Sequence, residues 1–205
     1  MARIEKIEVV IFDADGVIIK PTGYFSDKLV KEHGINKVSV DNFFRTEFNA
    51  CLLGRADLKR KISKYVPIWK WTGSVKELLE CWFSGEREVD ENVLAIVQKL
   101  RASDIKCYLA SAQEQYRAHY IMKDMELERY FDNCFFSCNL GYHKTDIQFW
   151  EKIIAKAELS PKAIMLWDDT QENVNTAKEI GIDAHLYTDF KSFEQTMMEK
   201  RLIKD

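Results

Sequence analysis

The sequence predicts an α/β fold in which a parallel sheet is covered by helices on both faces and interrupted once by an all-helical insertion. Three observations carry this prediction. Short runs of apolar, often β-branched residues recur along the chain with amphipathic helical patterns between them, as strands joined by crossover helices require. The runs are apolar throughout rather than alternating with polar residues, which suits strands buried on both sides. Between residues 21 and 88 the alternation stops and only helical patterns remain.

The first strand lies in "IEVVIF", residues 7–12. Helical patterns then follow at 26–32, 40–53, 56–65 and 75–83, with Gly34, Gly54, Gly73 and Gly85 as stops or turns. After them the alternation returns: helix 89–102, strand "IKCYLA", helix 114–123, strand "CFF", helix 147–157, strand "AIMLW", helix 174–180 and strand "DAHLY". The expected division is a core domain of residues 1–20 and 89–205 and a helical domain of residues 21–88. There is no internal repeat and no low-complexity segment.

Composition sets bounds on partners. At 205 residues with 46% hydrophobic and 12% aromatic residues, the chain buries a sizeable core, so disorder is excluded. A net charge of -3 and a pI near 5.9 argue against a dedicated nucleic-acid or membrane-surface binder. Five cysteines, an odd number without C-x-x-C spacing, suit free thiols in a reducing compartment and give no zinc site. No apolar run approaches the roughly 20 residues that span a bilayer, and the N-terminal residues lack the apolar core of a signal peptide. The expectation is a cytoplasmic protein, monomeric or weakly dimeric.

Function is written at the ends of the strands. "VVIFDADGV" places Asp13 and Asp15 directly after the first strand. A turn accounts for Asp and Gly there, but not for the apolar run that resumes at Val17. An EF-hand loop fails, because its sixth position demands Gly and here holds Ile18. Ser111 ends the second strand, and with Glu114 it also reads as a capping box. Lys144 precedes a helix whose start reads as a Thr145–Gln148 capping box, a site where a cation opposes the helix dipole and an anion is favoured. Asp168 and Asp169 follow "AIMLW"; one of them reads as an N-cap, yet two carboxylates exceed what a cap needs. Asn173, one turn on, either orients them or faces water.

Each feature has an ordinary reading alone; their conjunction does not. Ligands of open α/β sheets bind at the carboxyl ends of the strands, near the point where strand order reverses. Carboxylates gathered there repel one another unless a hard cation sits among them, and Mg2+ favours such oxygen ligands. A hydroxyl and a lysine beside that metal make a phosphate site.

These residues resemble the four motifs of the haloacid dehalogenase-like (HAD) superfamily, chiefly its Mg2+-dependent phosphatases: "DADGV", then "LAS", then Lys144, then "WDDTQENV", in the family's order. The likeness extends through "NVNTAKEIGIDAHLY" and the helical insertion, so it covers nearly the whole chain. It implies a three-layer Rossmann-like parallel-sheet core with an inserted four-helix cap of the subclass I type. It also implies roles: Asp13 as nucleophile, Asp15 as proton donor and acceptor, and Ser111, the Ala112 backbone N–H and Lys144 as holders of the substrate phosphate. Asp13, the Asp15 backbone carbonyl, Asp168 and Asp169 would ligate Mg2+, with Asp169 favoured over Asp168 as the direct ligand. Asp15 separates phosphatases from the similar dehalogenases, which lack it because a halide leaves without a proton.

Two positions depart from the family pattern. Ala112 stands where Asn is frequent, and Thr145 where Pro is usual; both bear on substrate details rather than on activity. The implied substrate is a small phosphate ester, sugar phosphates by default, selected by the cap. Of Arg45, Arg55, Trp69, Trp71 and Trp82, none is assigned to the site, since packing explains the tryptophans and solvation the arginines. A phosphomutase-type phosphotransferase and a non-catalytic phosphate- or protein-binding module are the alternatives.

Overall fold

A computed structural model of the chain describes residues 6–20, 23 and 25–204. Residues 1–5 and the expected start of the insertion at Pro21 lie outside the described residues. Five parallel strands form one sheet in the order β3-β2-β1-β4-β5. They are β1 (Val9–Phe12), β2 (Lys106–Ser111), β3 (Asn133–Phe136), β4 (Ile164–Asp168) and β5 (Asp183–Leu186). Each falls within or one residue beyond an apolar run of the sequence. Because β1 lies between β2 and β4, the chain winds outward in both directions from it, which makes the carboxyl ends of β1 and β4 the switch point of the sheet.

The register makes both faces apolar. Val10 and Phe12 point into one layer, with Val93 and Val97 of the helix Glu91–Ala102 and Phe193 and Met197 of the helix Phe190–Glu199. Val9 and Ile11 point into the other, with Phe149, Trp150 and Ile153 of the helix Ile147–Ala157 and Val174 and Ala177 of the helix Gln171–Glu179. All four β1 side chains are fully buried, each contributing about 1.5–3 kcal/mol relative to exposure. The helix Phe190–Glu199 has no counterpart in the sequence reading. Its core-facing residues Phe193 and Met197 sit in an otherwise polar segment capped by Asp189, so its apolar stripe is narrow.

The insertion consists of α1 (Phe25–His33), α2 (Lys37–Asn42), α3 (Phe48–Leu52), α4 (Leu58–Ile62) and α5 (Val75–Gly85). A π-helical turn at Phe43–Glu47 joins α2 to α3 into one rod, so four rods stand where four helical patterns were read. The third pattern ends early: α4 stops at Ile62 and the chain continues in turns towards Pro67. The insertion has its own core of rings. Trp82 stacks on Phe25 at 5.0 Å and 3° from parallel, and Phe43 meets Tyr65 at 4.9 Å and Trp69 at 5.4 Å. Such aromatic pairs add about 0.5–1.5 kcal/mol each beyond area burial.

The two connections between insertion and sheet run side by side. Ile19 pairs antiparallel with Val89, Lys20 N donates to Glu88 O at 2.8 Å, and Asp90 N donates to Ile18 O at 2.8 Å. Further along, Gly54 packs so tightly on the helix Ser137–Leu140 that a Cβ would fall 2.1 Å from the Cys138 carbonyl oxygen; its φ of +67° also favours glycine. The Tyr116 hydroxyl donates to Asp57 at 2.6 Å, while the other oxygen of Asp57 caps α4. The insertion is thereby fastened over the carboxyl end of the sheet at two sides. No helix among the described residues is long and apolar enough to cross a membrane.

Candidate active site

Asp13 follows β1 directly, and its N–H extends the ladder by donating to Trp167 O at 2.9 Å. The extra bond fixes the backbone at the sheet's edge, and the buried side chain accepts from Ala14 N at 2.7 Å. Asp168 is the last residue of β4 and has no exposed surface. Lys144 reaches between them from the loop before the helix Ile147–Ala157. Its ammonium lies 2.8 Å from Asp13 Oδ2 and 2.5 Å from Asp168 Oδ2. The Lys144 carbonyl accepts from Trp150 Nε1 at 2.7 Å, so a side chain of the apolar layer sets where the lysine departs.

The other oxygen of Asp168 accepts from Thr170 N at 2.9 Å and from Asn173 Nδ2 at 3.0 Å. Asn173 therefore orients the acid and does not face water. Neither aspartate is the helix N-cap, a position held by Thr170. Asp169 is the more open acid of the pair, and its Oδ1 accepts from Thr170 Oγ1 at 3.2 Å. Its Oδ2 occupies the space where a side chain on Gly16 would begin: a Cβ there would lie 2.0 Å away. Gly16 also has φ +83°. Only glycine meets both conditions, and it lets the β1 loop and Asp169 close on one another.

One carboxylate oxygen from each of Asp13, Asp168 and Asp169 lies within 4.8 Å of the others. Burial, reinforced by Asp168, pushes Asp13 up to about 7 against the pull of Lys144. Burial and then Asp168 also raise Asp169. Burial works to lower Lys144, but Asp13 and Asp168 outweigh it and hold the ammonium above its usual value. Three acids thus share one buried cation. The cluster is short of positive charge and offers only hard oxygen donors, a set that fits a small divalent cation.

Ser111 closes β2 and is buried, with Ala112 exposed just beyond it. The expected Ser111–Glu114 capping box is not formed. Glu114 is itself the N-cap of the helix Gln115–His119, accepting from Arg117 N at 2.5 Å and Tyr116 N at 3.0 Å. Nor is the Thr145–Gln148 box formed: Asp146 holds the N-cap position and accepts from His143 N at 2.9 Å. At this second start the Asp146 carboxylate turns back to His143 N and makes no capping bond. At the first the longer Glu114 side chain takes the helix N–H groups, and Ser111 is left free of capping duty. Gln113 Nε2 instead donates to Ser111 Oγ at 3.1 Å and to Asp15 Oδ2 at 2.6 Å, linking the two predicted residues.

The expected set Asp13, Asp15, Ser111, Ala112, Lys144, Asp168 and Asp169 therefore gathers at the carboxyl ends of β1, β2 and β4. The sequence reading missed Gln113 and Arg117, both buried beside Asp15. Their signal was the "QEQYR" that follows the second strand, where three polar side chains return to the buried face of a helix start. In the insertion, Trp69 and Trp82 pack in its aromatic core and Trp71 lies against His33. Arg45 and Arg55 are exposed, Arg55 donating to Gly141 O at 3.4 Å.

Comparison with known proteins agrees with this geometry. Residues 7–181 match the family model of the haloacid dehalogenase-like hydrolases. A phosphorylated carbohydrates phosphatase of Thermotoga maritima is 22% identical over 190 residues, covering 86% of this chain and 83% of that protein. A HAD family enzyme from Bacteroides thetaiotaomicron, crystallised as a magnesium complex, superimposes with a TM-score of 0.80 at 19% identity over 93% of this chain and 100% of that one. A HAD-like family hydrolase from Porphyromonas gingivalis gives 0.77 at 18% identity over 94% and 97%. With most of its length matched by the family model, the chain belongs to the haloacid dehalogenase-like hydrolases.

Proposed function

We propose that this hydrolase is a Mg2+-dependent phosphatase cleaving a small phosphomonoester, a sugar phosphate by first choice, through an aspartyl-phosphate on Asp13. The observation that carries the reading is the Lys144 ammonium wedged between Asp13 and Asp168, with Asp169 alongside. The carbohydrate-phosphate substrate of the Thermotoga relative supports the substrate class. Mg2+ held by Asp13, the Asp15 backbone carbonyl and Asp169 would supply counter-charge for the acids and the incoming phosphate. Asp168 stands behind, because Lys144, Thr170 and Asn173 already engage it.

The chemistry follows from the residues. The ionised Asp13 carboxylate attacks phosphorus, and the P–O ester bond breaks as the phosphoryl group moves to Asp13. Asp15 gives its proton to the departing oxygen. It then takes a proton from the water that attacks phosphorus and frees Asp13. Lys144, the Ser111 hydroxyl and the Ala112 N–H hold the phosphoryl oxygens, since positioning and charge stabilisation dominate this transfer. Residues 21–88 form a cap domain over the core of residues 1–20 and 89–205, and select the alcohol portion of the substrate.

An aryl phosphate assay tests this. Turnover should require Mg2+, disappear on chelation and be inhibited by Ca2+, whose looser, larger coordination would misalign Asp13. Full turnover after exhaustive chelation contradicts the proposal.

A further inference from the structure

Among the described residues only two cations are buried: Lys144, already in the acid cluster, and Arg117, at 2% exposure. A buried guanidinium must have its N–H groups satisfied, so its partners define its work. Nη1 donates to Phe83 O at 3.1 Å, and Nη2 donates to Glu86 O. Phe83 belongs to the last turn of α5 and Glu86 is its C-cap, a place where carbonyls and the helix dipole both favour a cation. The rings of Phe83 and Tyr120 flank the guanidinium at 5.7 and 5.5 Å.

Glu86 carries this anchorage to the insertion's other connection. Its carboxylate accepts from Phe25 N, the first residue of α1, at 3.0 Å, and from Trp82 Nε1 at 2.9 Å. Arg117 is thus joined directly to the chain leaving the insertion and, through Glu86, to the chain that begins it. Glu114 fixes Arg117 from below through its backbone N–H. A hinge staple needs nothing more.

Arg117 does have one more neighbour. Nη2, the nitrogen that binds Glu86 O, also lies 3.5 Å from Asp15 Oδ1, while Gln113 holds Asp15 Oδ2 at 2.6 Å. Asp15 is itself half exposed and stands outside the close group of Asp13, Asp168 and Asp169. Its two oxygens are therefore steered by two buried residues of the β2 end, one of which is bound to the insertion's exit. We propose that Arg117 is a positioning residue for Asp15, setting where the carboxylate stands according to where the insertion sits. The inference rests on the reading of Asp15 as proton carrier.

The test compares an alkyl phosphate, whose leaving oxygen needs a proton, with dinitrophenyl phosphate, whose leaving group hardly does. Arg117→Lys keeps the charge but not the fork that spans Phe83, Glu86 and Asp15. It should lower kcat/KM, which covers only the steps up to phosphorylation of Asp13, on the alkyl ester on the order of 10²-fold, the scale of a misplaced catalytic group, and on the dinitrophenyl ester far less. Asp15→Asn, measured on the same pair, should discriminate in the same direction and more strongly. In the Asp15→Asn background, Arg117→Lys should then cost little further on the alkyl ester, because the two act through one carboxylate. Equal losses on both esters for Arg117→Lys, or full additivity in the double variant, would reduce Arg117 to a hinge staple and overturn the proposal. If Asp15→Asn itself fails to discriminate, the reading of Asp15 falls and takes this inference with it. Should Arg117→Lys not fold, Arg117→Gln, which keeps donors of shorter reach, carries the same comparison.

Discussion

The strand ends and the helical insertion are held together by opposite means. Among the described residues, every buried polar or charged side chain, from Asp13 through Ser111, Gln113, Glu114, Arg117, Ser137, Lys144 and Asp168 to Asn173, belongs to the α/β core, and none to the insertion. The insertion buries rings instead: Phe25, Phe43, Trp69, Trp82 and Phe83. Burying charge costs free energy unless each group is paired, whereas burying rings stabilises wherever they fit. A fold built for stability alone would place its buried charge nowhere in particular. Here it is concentrated at the carboxyl ends of β1, β2 and β4, the one region where the proposed phosphate chemistry needs it.

The largest effect should come from removing the shared cation. Lys144→Met leaves Asp13 and Asp168 buried without their counter-charge. Turnover of an aryl phosphate should fall on the order of 10³-fold, as for loss of a charge-stabilising donor. Stability at pH 8 should fall by about 3–5 kcal/mol, the cost of breaking a buried pair. The folded protein then binds protons more tightly than the unfolded chain, so the stability loss should shrink as pH falls. Steady-state rates and denaturant titrations at two pH values check both parts. An undiminished rate would break the contrast between the two regions.

The insertion should respond the other way. Phe43→Ala removes a fully buried ring that meets Phe44, Phe48, Tyr65 and Trp69. It should cost about 3–5 kcal/mol of stability, while turnover per folded molecule falls much less than in Lys144→Met. A catalytic loss comparable to that of Lys144→Met, at a temperature where the variant stays folded, would mean that the insertion takes part in the phosphoryl transfer.

What could be read in the sequence divides along the same line. Strand-forming runs and the acids after them were legible, because apolar runs mark buried strands and carboxylates at their ends are conspicuous. The side chains that arrange those acids were not. Ser111 and Thr145 read as helix caps, but Glu114 and Asp146 took those positions. Gln113 and Arg117 were passed over, since nothing local tells that one will meet Asp15 and the other the end of the insertion. Asp168 engaging Asn173 and Lys144 rather than capping is likewise a tertiary outcome. The insertion's tryptophans were read as packing and do pack. The length of α4 and the existence of the helix Phe190–Glu199 depended on contacts that periodicity alone does not carry.

A third, smaller effect sharpens the comparison from the opposite end of the sheet. Asp183 opens β5 and binds His185 Nε2 at 2.9 Å and Lys200 Nζ at 2.6 Å. The His185 hydrogen bond, helped by Lys200, holds its carboxyl down at about 2 against the effect of burial. A depressed carboxylate stabilises the fold in full above its unfolded value near 4 and loses that contribution as pH falls towards 2. Because the group is partly exposed, the contribution is screened to about 1 kcal/mol. Asp183→Asn should lower stability by that amount at pH 6, match the unaltered protein at pH 2, and leave turnover intact. A catalytic defect would show that charge away from the strand ends also serves the reaction.

The central claim is that Asp13 carries the phosphoryl group while Asp15 moves the proton, and one measurement addresses it directly. Asp13→Asn and Asp15→Asn proteins, each mixed with Mg2+ and an aryl phosphate bearing a good leaving group, are quenched rapidly and weighed intact. Asp15→Asn retains the nucleophile but not the base that activates water, so the phosphorylated form should accumulate as an adduct of about 80 Da, one phosphoryl group. Asp13→Asn should show none at any time. An adduct on the Asp13→Asn protein, or turnover in it at the level of the unaltered enzyme, would contradict the account.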